Sequence, residues 1–359
     1  MITAIINDDL DRIIAADLPW DRLSGKTILV TGAAGVLPAY MVETLLRLND
    51  RRRLAEPLTV LGMVRDLPRA RARFAHHGER SDLVLVQHDV TQPFAWDGAL
   101  DVIVHAASQA SPKYYSVDPV GTLAANTVGT HNLLQLARTR PLDAFLFFSS
   151  SEVYGQVGHD MIPTREDQFG LVDPATVRAC YAESKRLGET MCVAWSHQHG
   201  VPTRIVRPFH TYGPGMRLDD GRVFADFVSD ILASRDIIIK SDGLATRSFC
   251  YIADATAGFF TVLLKGETAV PYNVGNDRAE ISIRGLAEAL VDEFRERGVA
   301  LIMDPEKRAA TYVASQVPRN CPDIGRMRAL GWEPGVGIAE GFRRTVTSFE
   351  QEEAARPRA

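Results

Sequence analysis

Lys26-Thr-Ile-Leu-Val-Thr31, Gly32-Ala-Ala-Gly35 and the periodic stretch from Val36 to Leu48 follow one another without a break. A short β-branched run, a glycine turn and a helical pattern predict a strand, a tight turn and a helix, the setting in which a glycine turn binds a dinucleotide. Gly32 permits the turn. Gly35 lets backbone amides, with Val36 opening the helix, approach a pyrophosphate where the helix dipole favours an anion. The usual third glycine is replaced by Pro38, which falls in the first helical turn, where a missing N–H costs little.

Outward from this turn, the next strand, Leu58 to Val64, closes on Arg65-Asp66, where an acidic residue usually receives the ribose hydroxyls. Asp66 would serve NAD. Arg65 would hold a 2′-phosphate or lie over the adenine. Both also read as solvated loop charges. NAD is the expected cofactor, with NADP the alternative.

Strand signals at 27–31, 58–64, 83–87, 102–106, 143–149 and 202–207 alternate with helical patterns at 36–48, 119–139 and 176–198. The alternation predicts an α/β fold, a Rossmann-type doubly wound parallel sheet with ligands at the C-terminal ends of its strands. From about residue 208 the rhythm changes, with a Gly213-Pro-Gly215 break and a turn at Leu218-Asp-Asp-Gly221. The expected organisation is an N-terminal helical extension (1–24), a dinucleotide-binding domain (25–207), a smaller substrate lobe with segments returning to the main sheet (208–350) and a frayed tail (351–359). The extension reads as an amphipathic helix (Ile5, Leu10, Ile13, Ile14) packed outside the first strand.

The 359-residue chain has a formal net charge of −5 and no long basic run, which argues against a nucleic-acid partner. No apolar run approaches membrane-spanning length, and the acidic, interrupted N-terminus is not a signal peptide. Cys180, Cys192, Cys250 and Cys321 show no paired spacing, which reads as reduced thiols in a cytoplasmic protein. Cys192, His197 and His199 do not converge on one ion at helical spacing, and no metal site is expected.

Chemistry is suggested by Ser150, at the end of the apolar run Phe145 to Ser151, and by Tyr181-x-x-x-Lys185. One helical turn puts Tyr181 and Lys185 on one face. A phenol holds its proton to about pH 10, and a nearby ammonium, together with a cofactor's positive nicotinamide, would stabilise the phenolate and lower that value. The set would take a proton from an alcohol while its carbon gives up a hydride, with Ser150 sharing the same oxygen.

These residues resemble the extended short-chain dehydrogenase/reductase family, which includes NAD-dependent epimerases and dehydratases, and within it the UDP-glucuronate decarboxylases (UDP-xylose synthases). The resemblance spans about residues 25 to 345. It is carried by His105-Ala-Ala-Ser-Gln-Ala-Ser-Pro112 with Tyr115, Ser150-Ser-Glu-Val-Tyr-Gly155, Arg178-Ala-Cys-Tyr-Ala-Glu-Ser-Lys185, Glu189-Thr-Met-Cys192, Gly213-Pro-Gly-Met216, Asp220-Gly-Arg-Val223, Arg247-Ser-Phe-Cys-Tyr251, Asn273-Val-Gly-Asn276 and Gly331-Trp-Glu-Pro334.

The resemblance implies that Gly32 and Gly35 hold the pyrophosphate, that Asp89 and Val90 meet the adenine, and that Ala107 and Ser108 line the nicotinamide side. It makes Tyr181 the base and has Lys185 bind the nicotinamide ribose. Ser151-Glu152 matches the decarboxylases, where dehydratases carry Asp-Glu. Arg222, with Val223 beside it, Arg247 and Arg319 would meet the diphosphate or uridine, since a guanidinium suits bidentate phosphate binding. Ser111, Lys113, Tyr115 and His210 would touch the sugar. His210 stands where the family usually has Asn, and Lys113-Tyr114 differs from its usual Pro-Asn.

The implied reaction on a UDP-sugar is oxidation at C4, loss of CO₂ from the resulting β-keto acid, and re-reduction. Glu152 would manage the C5 proton, if it is either protonated or compensated by an arginine. A UDP-glucuronate-type 4-epimerase, a 4,6-dehydratase and a dinucleotide-sensing binding protein are the alternatives. The helices at 119–139 and 176–198 are apolar on more than one face, and the resemblance implies that they pair in a homodimer.

Overall fold

The computed structural model describes residues 2–304 and 317–355. Six strands alternate with helices in its first half: β1 (Thr27–Thr31), β2 (Thr59–Val64), β3 (Leu83–Gln87), β4 (Val102–His105), β5 (Ala144–Phe148) and β6 (Thr203–Pro208). Between them run α2 (Val36–Asp50), α3 (Leu67–Phe74), α4 (Pro112–Val117), α5 (Pro119–Ala137) and α6 (Ala179–His199), and α1 (Ala4–Ile14) precedes them all. The remainder comprises β7 (His210–Tyr212), α7 (Val223–Leu232), β8 (Ile237–Ile239), β9 (Thr246–Tyr251), α8 (Ile252–Lys265), β10 (Pro271–Val274), β11 (Glu280–Ser282), α9 (Ile283–Glu293), β12 (Leu301–Met303), β13 (Arg319–Asn320), α10 (Gly325–Ala329) and α11 (Ile338–Ala354).

The main sheet has seven strands in the order β10-β6-β5-β4-β1-β2-β3, all parallel. Alternate side chains enter opposite cores: Ile28 and Val30 pack with α2 and α8 residues such as Leu45 and Phe259, while Leu29, Ile103 and Phe147 pack with Leu133 of α5 and Cys192 of α6. Such strands are buried on both faces, which is why they read as unbroken apolar runs. The order reverses between β1 and β4, so the loops after these strands part and leave a crevice. β10 lies on the β6 edge, and a smaller sheet sets β9 between β11 and β13, with β7 also pairing with β9.

Helix α1 differs from its expected placement. It packs on α2, α8 and α11 rather than over the first strand. Capped by Thr3, it buries Ile6, Leu10, Ile13 and Ile14, with Ile5 only half-buried. Fully buried Asp9 accepts hydrogen bonds from Tyr40 (3.1 Å), Tyr251 (2.8 Å) and Arg344 (2.6 Å), tying α1 to α2, β9 and α11. Burial pushes the Asp9 carboxyl up despite the Arg344 charge. Helix α11 continues through Ala354, into the stretch expected as tail, and Gln351 Oε1 accepts from the Ala4 N–H at 3.0 Å. Residues 356–359 lie outside the described residues. No described helix is long and apolar enough to cross a membrane.

Candidate active site

Gly32 takes φ +65° at the end of β1, and a Cβ there would stand 2.9 Å from the Ala107 Cα. Only glycine fits both the conformation and the close approach. The Gly35 N–H donates to Gly32 O at 2.7 Å, and Gly35 caps the start of α2 at Val36 without a side-chain partner. The loops after β1 and β4 are drawn together by Thr31, whose Oγ1 accepts from the N–H groups of Ala106 (3.2 Å) and Ala107 (3.1 Å). His105 lies between Thr31 (3.0 Å) and Thr130 (3.1 Å), and burial takes its imidazole down to about 3.

The crevice is a groove of about 280 Å³, lined by Gly32, Arg65, Asp89, Val90, Ala107 and Ser108 among others. Burial works against an ionised Asp89, but the Thr91 N–H and hydroxyl, both donating to it at 2.9 Å, hold its carboxyl below the usual range. Ser108 Oγ is buried with no partner. A groove lined by an unpaired hydroxyl, a carboxylate and a glycine turn fits a dinucleotide. Asp66 is elsewhere: its Oδ1 caps α3, accepting from Arg69 N–H at 3.0 Å, and it does not line the groove. Met63, His88, Thr91, Gln109 and Gly121 do line it, and the sequence reading did not single them out.

Outside the groove's lining, Ser150 follows β5 while Tyr181 and Lys185 ride on buried positions of α6. The Ser150 hydroxyl accepts from Glu152 N–H at 3.2 Å and lies close enough to the Tyr181 phenol to favour its ionised form. Tyr115 stacks on Tyr181, with ring centroids 4.9 Å apart and planes within 19°, and its own hydroxyl donates to Ala110 O at 2.9 Å. Lys185 Nζ donates to Phe148 O at 2.7 Å and lies 5.8 Å from the Tyr181 ring centre. The expected lowering of the phenol involves a bound nicotinamide as well as this ammonium, and the protein alone does not produce it. Burial pushes Tyr181 up to about 12, with the Ser150 hydroxyl opposing, and takes Lys185 down to about 7. Both groups are sunk where charge is poorly solvated.

Glu152 meets Arg178 at 3.3 Å, and that arginine also faces the Tyr115 ring at 5.8 Å. Arg178 opens the quoted Tyr181–Lys185 stretch, yet its pairing with a residue 26 positions earlier is a tertiary fact with no sequence signal. Ser151, beside Glu152, is buried.

From the other side come the lobe residues. Ser111 Oγ donates to Asp220 O at 2.8 Å, fastening α4 to the segment before α7, which begins at Val223. Arg222 pairs with Asp220 and its charge reaches both Tyr181 and Tyr115. Arg247, on β9, is buried and donates to Thr246 O at 2.6 Å. Burial first, then Arg247 and Arg222, push the His210 imidazole well down, and its Nδ1 has no partner. Arg319 is held by Glu280 at 2.6 and 2.9 Å, and Lys113 reaches Asp219 at 3.5 Å with both side chains more than half exposed. The fold therefore gathers Tyr181, Ser150, Tyr115, Glu152 and Arg222 at one place, with Arg247 and His210 next to Arg222.

Among the described residues, one group of imidazoles and carboxylate has ligand atoms close enough for an ion: Glu43, His76 and His77. Arg80 donates to His77 Nδ1 at 3.2 Å, which leaves the proton on Nε2, donating to Glu43 at 2.7 Å. That tautomer makes the group a hydrogen-bonded cluster. The four cysteines are free and buried.

A parallel sheet with a glycine turn after its first strand and a Ser–Tyr–Lys set at its C-terminal edge defines a nucleotide-dependent enzyme of the short-chain dehydrogenase/reductase kind. The chain belongs to the NAD dependent epimerase/dehydratase family, whose pattern matches residues 28–275. It is 35% identical over 323 residues to UDP-glucuronic acid decarboxylase 6 of Arabidopsis thaliana, covering 89% of this chain and 87% of that protein. It is 34% identical over 334 residues to UDP-glucuronic acid decarboxylase 1 of Xenopus tropicalis, covering 91% and 73%. In fold it is similar to the UDP-glucuronic acid 4-epimerase of Bacillus cereus in complex with UDP-glucuronic acid and NAD (TM-score 0.72, 22% identity, 91% of this chain and 99% of that one).

Proposed function

We propose that the protein is an NAD-dependent UDP-glucuronate decarboxylase that forms UDP-xylose through a transient C4 ketone. The observation that carries the reading is the Glu152–Arg178 pair set beside Ser150 and Tyr181, on a Ser151-Glu152 pair that lacks a dehydratase's aspartate. The identity to decarboxylases over most of the chain supports it.

Gly32, Asp89, Val90, Ala107 and Ser108 would hold the dinucleotide, with Lys185 at its nicotinamide ribose. When bound, NAD supplies the acceptor for the C4 hydride and returns that hydride at the end. Tyr181 takes the C4 hydroxyl proton, and Ser150 holds the oxygen. The C4 ketone is β to the C6 carboxylate, so the C5–C6 bond breaks to CO₂ and its electron pair passes into the carbonyl. C5 then takes a proton from solvent, delivered by a water held at Glu152, where Arg178 offsets the carboxylate charge that would otherwise repel the substrate. Tyr181 finally returns its proton to the C4 oxygen. Arg222 and Arg247 receive the diphosphate and His210 the sugar.

Incubation with UDP-glucuronate and catalytic NAD⁺, followed by product mass, tests this. Loss of CO₂ supports it, and an unchanged mass at a new retention time replaces it with 4-epimerisation. The epimerase reading has one observation in its favour, the buried His210 imidazole with its unpaired Nδ1.

The same reading includes a homodimer in the cytoplasm. Helices α5 and α6 expose Val120, Leu123, Val128, Leu187 and Val193, an apolar face that a second copy would cover. Sedimentation equilibrium at micromolar concentration reads the mass directly.

A further inference from the structure

Next to Lys185 lies a charge pair that the reaction scheme leaves without a role. Glu189 follows Lys185 by one turn of α6, so both side chains face the C-terminal end of β5. Lys185 donates to Phe148 O at 2.7 Å, and Ser149 Oγ donates to Glu189 at 2.5 Å. Arg207 of β6 closes the carboxylate from the other side, Nε to one oxygen at 2.8 Å and Nη2 to the other at 2.6 Å. Its Nη1 donates to the Tyr154 hydroxyl and to Glu166 O, both at 2.9 Å. The Arg207 side chain is 3% exposed and that of Glu189 13%. A pair so buried does little for stability, because desolvation offsets the attraction.

The groups that face Lys185 are Tyr181, Glu189 and Cys192 on α6, His105 on β4 and the Phe147 ring of β5, 5.2 Å away. Burial keeps His105 neutral and pushes the Cys192 thiol well up, so Glu189 is the anion of the set. Burial takes Lys185 down to about 7, and the Glu189 charge is the largest influence opposing it.

We infer that Glu189, fixed by Ser149 and Arg207 one helical turn beyond Lys185, is a positioning residue of the proton-transfer site, its charge holding the Lys185 ammonium seated against β5. The inference rests on the reading that Tyr181 and Lys185 move the proton.

Two variants test it. Glu189→Gln removes the charge and keeps an amide for Ser149. Because it strands the Arg207 charge, the double variant Glu189→Gln/Arg207→Met, which removes both, runs beside it. Selectively ¹³C-labelled lysine in the NAD-loaded enzyme, with Lys185→Met supplying the assignment, follows Lys185 directly. Lys185 is expected to titrate at lower pH in both variants. The alkaline limb of kcat/KM for UDP-glucuronate should follow it down by about one pH unit, roughly tenfold in rate at a fixed pH on that limb. Glu189→Asp should titrate closer to wild type. A lysine titration and a limb that superimpose on wild type in both variants, with only the height reduced, make Glu189 a structural residue and overturn the inference. The parent reading fails separately, if Tyr181→Phe retains turnover.

Discussion

Ser150, Tyr181 and Lys185 stand at the edge of the seven-stranded sheet, Ser150 near the Tyr181 phenol and Lys185 bonded to the sheet's backbone at Phe148. Arg222 and Arg319, in the lobe, are engaged with that lobe's own carboxylates, Asp220 and Glu280. The first side is fixed before any substrate arrives. If the lobe arginines receive the substrate as proposed, the second side exchanges an internal carboxylate for a substrate anion. Chemistry on such a molecule is preorganised, whereas recognition is a competition between like partners.

The sharpest way to break this contrast is Tyr181→Phe. It keeps the ring that stacks on Tyr115 and removes only the hydroxyl. Turnover of UDP-glucuronate should fall by roughly 10²–10⁴, with nucleotide binding by calorimetry unchanged. Surviving turnover would place the base elsewhere.

Next comes the lobe. Arg222, whose charge reaches Tyr181, is expected to matter more than Arg319, which lies against Glu280. Arg222→Met should raise the substrate KM by about 10- to 100-fold, as fits a charged hydrogen bond of about 1.5–3 kcal/mol, with kcat less affected. Arg319→Met should move KM far less. Equal effects would mean that both arginines leave their carboxylates for the substrate.

Much of this could be read from the chain because it is local. The strands and the glycine turn follow from runs of adjacent residues, and Tyr181 and Lys185 share a helix face by spacing alone. Helix α6 begins at Ala179 rather than 176, because Asp173 organises a turn first, its Oδ1 accepting from Ala175 N–H at 3.0 Å. Pairings between distant residues left no periodic trace: Arg178 with Glu152, Arg207 with Glu189, and Asp9 with Tyr40, Tyr251 and Arg344. The basicity of the site also depends on burial, which is why the expected depression of Tyr181 reverses in the protein alone.

The sheet side should also respond to acid. His105 is held neutral at about 3, below its ordinary value, so the unfolded chain binds the extra proton first as pH falls. Its contribution is complete above about pH 6.5 and declines through that window toward 3, by about 1.4 kcal/mol per pH unit. His105→Gln should flatten the urea-midpoint profile between pH 6 and 4. An unchanged slope would assign the acid sensitivity to other groups.

The smallest expected effect lies at the far end of the preformed side, at Arg65 and Asp66, the two residues expected near the cofactor's adenosine. Arg65 lines the groove, while Asp66 is engaged with the Arg69 N–H as the cap of α3. Asp66→Ala should therefore lower stability by about 0.5–2 kcal/mol, the ordinary loss of an N-cap, and leave NAD affinity where it was. Arg65→Ala should weaken nucleotide binding and leave stability nearly unchanged. The opposite pattern would mean that the carboxylate exchanges its cap for the ribose hydroxyls. The cofactor end would then behave like the lobe, trading an internal partner for a ligand, and only the Ser150–Tyr181–Lys185 set would remain fixed in advance.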